Sequence, residues 1–340
     1  MSIRLSFCIA TLNRAAFIGA TLDSIISQAT DEVEIVIVDG ASTDNTQAVV
    51  QAYQAQFSRL RYTRLAAKGG VDRDYCRAVD LAQGDYCWLM TDDDLLKPRA
   101  IATVLEALQQ DYSLVIVNAE VRNADLTQRL LPTRLSFDHN RVYPAIPTNS
   151  QQLLVETGDY LSFIGGVVIQ RALWQAREKE RYIGTEFIHV GVIFQSPLPA
   201  PALVLAEPWI IIRYGNAQWT SRYFEVWMFK WPALIWSFGD YTETAKRRIT
   251  PSEPWRKPWK LFLFRARGVY SLEDYQRLIA PRPATALSKW LARLIARLPG
   301  RGANWLGVLY AYARRSQPLL VDLTNSPFYF RIRPTASANS

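Results

Sequence analysis

GGVDRDYCRAVDLAQGDYCWLMTDDDLLKP, residues Gly69–Pro98, decides the fold. It opens on a glycine turn, after which Asp74–Ala82 has helical spacing. Tyr86–Met90 is then an unbroken apolar run, the pattern of a strand buried on both faces. That run ends in Asp92-Asp93-Asp94, and Pro98 opens a further helix through Gln109, in the first-turn position that proline tolerates.

Upstream the same alternation repeats. Leu5–Ala10 reads as a buried strand, Ala16–Gln28 as a helix, Glu34–Val38 as a strand, Thr46–Phe57 as a helix and Leu60–Leu65 as a strand. Downstream, Ser113–Val117 is another strand, and Arg122–Gln151 is loop-rich, with Pro132, Pro144 and Pro147. Phe163–Gln170 resumes as a strand, Arg171–Lys179 as a helix, and Val204–Tyr214 as a strand interrupted at Pro208. Strand and helix in repeated alternation predict an α/β fold with a mostly parallel sheet covered on both faces. Ligands of such sheets sit beyond the carboxyl ends of the strands, where Thr11–Arg14, Asp39–Asp44 and Thr91–Asp94 all fall.

Composition sets the class. The chain has 340 residues, 49% hydrophobic and 21% charged, and is globular rather than disordered. Its three cysteines, Cys8, Cys76 and Cys87, form no CxxC pair, which excludes a disulfide framework or zinc knuckle and suits a reducing, cytoplasmic setting. Neither a signal peptide nor a transmembrane helix is expected; Val226–Phe238 is too short and is broken by Lys230 and Pro232. From Tyr241 onward 18 Lys and Arg face 5 Asp and Glu, whereas the first 240 residues carry 21 against 26. That asymmetry points to an anionic partner for the C-terminal part, a phosphorylated lipid or a nucleic acid.

Three clusters can carry chemistry. Asp92, Asp93 and Asp94 repel one another and suit a hard divalent cation that leaves positions open for substrate phosphates, or else the acid-rich start of a helix. Asp39, Ser42 and Asp44 can hold a base and ribose, or simply cap the helix that follows. Lys68-Gly69-Gly70 turns a cation toward a helix start, where it can face a pyrophosphate.

In this order the clusters resemble the nucleotide-sugar domain of the family 2 inverting glycosyltransferases. The likeness is carried by SFCIATLNR at Ser6–Arg14, IVIVDGASTDNT at Ile35–Thr46, the Gly69–Pro98 stretch and FIGGVVI at Phe163–Ile169. It implies a GT-A fold, Rossmann-like in its nucleotide-binding half, a Mn²⁺ or Mg²⁺ ion and a nucleoside-diphosphate sugar donor. By the same likeness Thr11, Asn13, Arg14, Asp39, Ser42, Asp44, Asp72, Arg73 and Asp92 would contact the donor, and Asp93 and Asp94 the metal. Where many members carry Asp, this chain has Thr91. A narrower resemblance, through GGVDRDY, YIGTEFIHV at Tyr182–Val190 and IIIRYGNAQW, is to bacterial abequosyltransferase-type enzymes of O-antigen assembly. It implies a deoxy- or dideoxyhexose and a polyprenyl-diphosphate-linked oligosaccharide acceptor.

Inversion needs a general base for the acceptor hydroxyl. Family members supply it as an acid after the glycine-containing strand, which here is Glu186, with His189 one helical turn on. Glu186 is otherwise a helix-start acid, and His189 a phosphate or metal contact or a core histidine. Lys289–Leu298 is a basic amphipathic helix with Trp290, Leu291, Leu294, Ile295 and Leu298 on one face. It suits an anionic membrane surface, or a core-packing helix with a solvated basic side. The expected layout is a glycosyltransferase domain at 1–215, with donor half 1–120 and acceptor half 121–215. A helical, basic region follows at 216–340. The expected place of work is the cytoplasm, peripheral on the inner face of the membrane, with no nucleic acid partner. Other readings are a nucleotidyltransferase acting on sugar phosphates and a nucleic-acid-binding protein.

Overall fold

A computed structural model describes residues 2–216 and 222–330. Packing divides the chain into two units: Met1–Tyr214 with Lys230–Ser252, and Gly215–Phe229 with Glu253–Ser340. The division expected from sequence assigns Lys230–Ser252 to the C-terminal region, whereas its packing is with the first unit.

The first unit holds the strands β1 (Leu5–Thr11), β2 (Val33–Asp39), β3 (Leu60–Arg64), β4 (Tyr86–Met90), β5 (Leu95–Leu96), β6 (Leu114–Arg122), β7 (Arg129–Leu131), β8 (Arg141–Tyr143), β9 (Val167–Gln170) and β10 (Ala202–Arg213). Its helices are α1 (Ile18–Ile26), α2 (Thr46–Gln54), α3 (Val71–Leu81), α4 (Ala100–Ala107), α5 (Pro147–Thr157), α6 (Arg171–Ala176) and α7 (Ile188–Phe194). After α8 (Tyr223–Glu225), which belongs to the second unit, it is completed by α9 (Trp231–Trp236) and α10 (Glu243–Ile249).

The sheet runs β3-β2-β1-β4-β9-β6-β10-β5, with β7 beside β6 and β8 beside β10. β1 pairs in parallel with β2 and with β4, and β2 with β3. β9 is antiparallel to both β4 and β6. The chain therefore winds outward from β1 to β3 and then returns to place β4 on the other side of β1. That reversal makes the carboxyl ends of β1 and β4 a topological switch point, the position where α/β sheets take their ligands.

The central strands are apolar on both faces, and β2 and β4 are buried throughout. Phe7 stacks on Trp88 with ring centroids 5.0 Å apart, and the Trp88 indole N–H donates to the Gly165 carbonyl at 2.7 Å. α1 lays Ile18, Leu22 and Ile25 on the sheet; each such side chain contributes about 1.5–3 kcal/mol by leaving water.

The structure departs from the sequence reading in five places. α3 begins at Val71 rather than Asp74, because Gly70 at φ +99° makes the entry turn, which puts Asp72 and Asp74 in the first helical turn. α4 begins at Ala100, after a left-handed Arg99, so Pro98 belongs to the preceding turn. Only Val167–Gln170 of the FIGGVVIQ stretch is strand, since Ile164–Gly166 coils into a tight turn against the rings of Phe163 and Tyr160. β6 runs on to Arg122. β10 continues through Pro208 by shifting register between Leu205 and Ile210, as a residue without an N–H requires.

The second unit is helical: α8, α11 (Pro258–Ala266), α12 (Leu272–Asp274), α13 (Ala286–Arg297), α14 (Gly300–Ala313) and α15 (Gln317–Thr324). Its core gathers Phe224, Trp255, Leu261, Phe264, Tyr270 and Ile279, with Phe224 stacked on Tyr270 at 4.4 Å. Trp255 is buried here. Among the described residues no helix is long and apolar enough to cross a membrane.

Candidate active site

The loops after β1 and β2 are laced together. Asn13, in the left-handed region at φ +55°, accepts from the Thr43 amide at 2.7 Å and the Asp44 amide at 3.3 Å. The Asn13 amide donates to Ser42 Oγ at 2.8 Å, the Ala15 amide to Asp44 Oδ2 at 3.1 Å and the Arg14 amide to Thr46 Oγ1 at 2.8 Å. Burial pushes the Asp44 pKa up, and the hydrogen bonds from Thr46 and Ala15 outweigh it and hold it below the ordinary carboxylate range. Asp39, fully buried, accepts from the Ser42 amide at 2.7 Å and from the Tyr62 hydroxyl at 2.6 Å. Asn13, Asp39, Ser42 and Asp44 thus form one laced floor, with the Thr11 carbonyl accepting the Gly40 amide at 2.9 Å beside it, and much of their polar capacity is spent holding the two loops together.

The lacing presents Arg14 to the end of β4. Its Nε lies 3.3 Å from Asp92 Oδ1 and its Nη2 3.4 Å from Asp93 Oδ2. Phe17 supports the cation from below, with the Arg14 guanidinium 5.6 Å and that of Arg213 5.3 Å from its ring centroid. Burial, then repulsion from Asp93, lifts the Asp92 pKa to about 7, against the pull of Arg14 and the Thr11 hydroxyl. Arg14 thus bridges the two neighbouring carboxylates.

Asp94 behaves differently. It accepts from the Thr91 hydroxyl and, at 2.7 Å, from the Arg213 amide, while its own carbonyl accepts from Thr21 Oγ1 at 2.8 Å. Burial and the neighbouring Asp93 raise its pKa. Its carboxylate thereby ties the acidic segment to β10, and Thr91, which stands where an acid was expected, supplies part of that anchor. A cation here would look first to Asp93 and Asp92. Among the described residues no three His, Cys, Asp or Glu side chains converge to hold a metal unaided. The pair fits a hard cation that draws its remaining ligands from phosphate and water, as Mg²⁺ commonly does.

The first turn of α3 reaches two loops. Asp74 lies against the end of β2, where a Cβ at Gly40 would stand 2.9 Å from Asp74 Oδ2. Burial and the nearby Asp39 raise the Asp74 pKa to about 6. Asp72 accepts three backbone amides from the segment before α7: Gly184 at 2.8 Å, Glu186 at 2.9 Å and Ile188 at 3.2 Å. Burial raises the Asp72 pKa, and those three amides counter it. Arg73 points outward and pairs with Glu180 at 3.3 Å. Asp72 and Arg73 therefore fasten α3 to the segment that carries Glu186.

That segment is shaped by Gly184 at φ +86° and by Glu186 itself at φ +71°, a left-handed conformation that glutamate seldom adopts. The Glu186 carboxylate is paired with Lys230 at 3.0 Å, and Phe187 packs edge-on against Trp231 at 4.7 Å. His189 lies inside α7, buried with the whole helix. Its Nε2–H donates to the Leu161 carbonyl at 2.7 Å, and burial lowers its pKa to about 4. Its ring is enclosed in the core and hydrogen-bonded to backbone rather than open to solvent.

Asp74, Lys230 and Arg213 were not singled out from sequence. The Asp-x-Asp spacing on α3 was a visible signal for the first, and a lone lysine in the aromatic run FEVWMFKWP for the second; nothing local marks Arg213.

Residues 6–171 match the sequence model of the family described as Glycosyl transferase family 2. The abequosyltransferase RfbV of Salmonella typhimurium is 27% identical over 230 residues, 64% of this chain and 69% of that protein. A Campylobacter jejuni protein named GalNAc(5)-diNAcBac-PP-undecaprenol beta-1,3-glucosyltransferase is 29% identical over 116 residues, 34% of this chain and 38% of that one. Of the YIGTEFIHV and IIIRYGNAQW stretches that suggested the narrower likeness, Ala217, Gln218 and Trp219 lie outside the described residues. Among solved structures, the mannosyltransferase PcManGT of Pyrobaculum calidifontis, in complex with GDP-Man and Mn²⁺, superimposes with a TM-score of 0.54 at 16% identity, covering 96% of this chain and 87% of that one. The sheet order, the switch point at β1 and β4 and these likenesses agree: the chain is a glycosyltransferase of the GT-A fold whose residues 6–171 form a family 2 domain.

Proposed function

We propose that this enzyme transfers a sugar, with inversion, from a nucleoside diphosphate to a hydroxyl of a lipid-linked saccharide during assembly of a bacterial surface polysaccharide. The observation that carries the reading is the fixed carboxylate of Glu186, on a strained loop anchored by Asp72 and faced by Lys230. A general base must be held in place, and a loop anchored by Asp72, with Lys230 fixing the carboxylate, meets that need.

The laced floor from Thr11 to Asp44 would seat the nucleoside, and Arg14 would meet the diphosphate. Asp93, with Asp92, would hold a Mn²⁺ or Mg²⁺ ion beside the phosphates. When bound, such an ion supplies positive charge to the departing diphosphate. The acceptor oxygen attacks the anomeric carbon, its proton passes to Glu186, and the bond to the diphosphate breaks with its electron pair leaving on the nucleotide. Arg14 receives part of the charge that develops on that leaving group.

The likeness to an abequosyltransferase supports a deoxy- or dideoxyhexose as the sugar. The undecaprenol-linked substrate in the other relative's name supports a polyprenyl-diphosphate acceptor, hence work at the inner face of the cytoplasmic membrane. The mannosyltransferase complex with Mn²⁺ supports the cation. The test is mass spectrometry on a panel of CDP-, UDP-, GDP- and dTDP-sugars with lipid-linked acceptor, followed by NMR of the product anomer. One donor should be consumed with inversion. Retention, or no donor bound and none consumed, would overturn the proposal.

A further inference from the structure

The outer face of α13 and α14, within the second unit, inverts the usual placement of side chains by size. α14 buries Ala303, Asn304, Gly307 and Ala311, while Trp305 (63% exposed), Leu306, Leu309 and Tyr312 (66%) stand in solvent. α13 buries Ala292, Ile295 and Ala296 and leaves Leu287, Trp290 (58%) and Leu294 outside. Of the five residues read from sequence as one apolar face, then, Ile295 turns inward and Trp290 and Leu294 turn out.

The rotation of α14 is pinned. A Cβ at Gly307 would lie 3.1 Å from the Ala266 Cβ and 3.0 Å from Leu323 Cδ2, so the helix sits tightly against α11 and α15. The Asn304 side-chain amide donates to the Ala266 carbonyl at 3.0 Å and the Leu323 carbonyl at 2.9 Å. Turning the large residues inward would break both bonds and drive bulk into a gap sized for glycine. The exposed face is therefore a fixed product of the packing.

Its charge identifies the partner. Between Asp274 and Asp322 the chain carries no acidic residue, and Arg293, Arg297, Arg301, Arg314 and Arg315 stand exposed on the same two helices and the turn that follows. Like charge opposes pairing with a second copy through this face, and the exposed leucines set among the aromatic rings suit acyl chains rather than bases. An apolar stripe rich in Trp, Tyr and Leu, rimmed by arginine, matches the headgroup and acyl boundary of an anionic bilayer.

We propose that the outer face of α13 and α14 is a lipid-docking surface for anionic membranes. Trp290, Trp305 and Tyr312 lodge at headgroup level, the leucines enter the acyl boundary, and the arginines meet lipid phosphates. The biological purpose of this docking rests on the lipid-linked acceptor proposed above.

The test is co-sedimentation of the full chain with phosphatidylcholine vesicles, with and without phosphatidylglycerol. Phosphatidylglycerol should strengthen partitioning by about tenfold or more, an advantage that salt removes. Trp305→Ser with Leu309→Ser should weaken it by about tenfold or more, leaving the melting curve and transfer to a water-soluble acceptor unchanged. If that pair melts early, Trp305→Gln alone should give the same loss. Binding indifferent to phosphatidylglycerol, or variants that partition like the parent, would overturn the proposal. So would variants that bind vesicles normally but turn a dimer into a monomer by light scattering, since the face would then join two copies. Vesicle binding without any sugar transfer would support this surface while overturning the proposed reaction.

Discussion

Asp72 Oδ2 accepts the backbone amide of Glu186 at 2.9 Å, across 114 residues of sequence. The same oxygen takes the Gly184 amide and its partner oxygen the Ile188 amide, so one buried carboxylate sets the path of the whole loop. Asn at position 72 keeps the shape but replaces one acceptor with a donor. Asp72→Asn should lower kcat by about 10- to 100-fold and leave donor affinity within about twofold, because the base is displaced while the floor is untouched. Calorimetric donor binding alongside steady-state kinetics checks it; an unchanged kcat would refute the positioning role.

The pairing of Glu186 with Lys230 is open to a double-mutant cycle. The two side chains are mostly shielded from water, so removing one leaves a poorly solvated charge. Lys230→Met should cost about 1–3 kcal/mol of stability, and adding Glu186→Gln should recover part of that loss. Denaturant melts of the four proteins measure the coupling. Purely additive effects would mean that the ion pair is incidental.

His189 makes a pH prediction of defined sign. Its folded-state pKa of about 4 lies below the ordinary 6.5, so the unfolded chain binds the proton more readily. Its contribution is complete above pH 6.5 and is lost as pH falls from there toward 4. At pH 5 the loss should be about 2 kcal/mol relative to pH 7.5. His189→Gln should remove that part of the slope and leave the pH profile of kcat alone. A kcat profile that moves with this substitution would return His189 to the chemistry.

Asp74 has the opposite slope. Its pKa of about 6 is raised above the ordinary 3.8, so the folded state binds the proton more tightly and stability falls as pH rises between those values. Above pH 6 the ionised group is a standing cost of about 1–3 kcal/mol. Asp74→Asn should therefore be the more stable protein at pH 7.5 by about that amount, with the gap closing toward pH 4. Melting curves at both values test the claim, and a variant less stable at neutral pH would contradict it.

Much of this architecture can be read without coordinates, and the exceptions share a cause. β1, β2 and β4 are legible because strands covered on both faces are continuous apolar runs, and the ligand loops follow from where those runs stop. The start of α3 is missed by three residues because a left-handed Gly70 caps it, which periodicity does not register. The glycines at 165 and 166 read as strand but pack on rings distant in pattern, not in sequence. Asp72 reads as a donor contact because its three amide partners lie more than a hundred residues away. Lys230 escapes for the same reason, 44 residues from Glu186. Local chemistry marks where groups of the right type occur, and long-range pairing decides which of them hold the loop and which do the reaction.

Two adjacent buried carboxylates, Asp92 and Asp93, at the end of β4 predict a cation requirement. EDTA should suppress turnover and Mn²⁺ restore it, whereas Asp93→Ala should stay at least about 100-fold down at any Mn²⁺ concentration. Undiminished turnover in EDTA would contradict the cation requirement.

The most direct test of the central claim is Glu186→Gln, measured with the identified donor and acceptor under single-turnover conditions. The substitution preserves shape and the loop anchored by Asp72, and removes only the capacity to take a proton. Donor binding should be unchanged and the rate of transfer should fall by about 10²- to 10⁴-fold, the range of a lost general base. Transfer at the parent rate would contradict the assignment of Glu186 and send the search for the base elsewhere in the cleft.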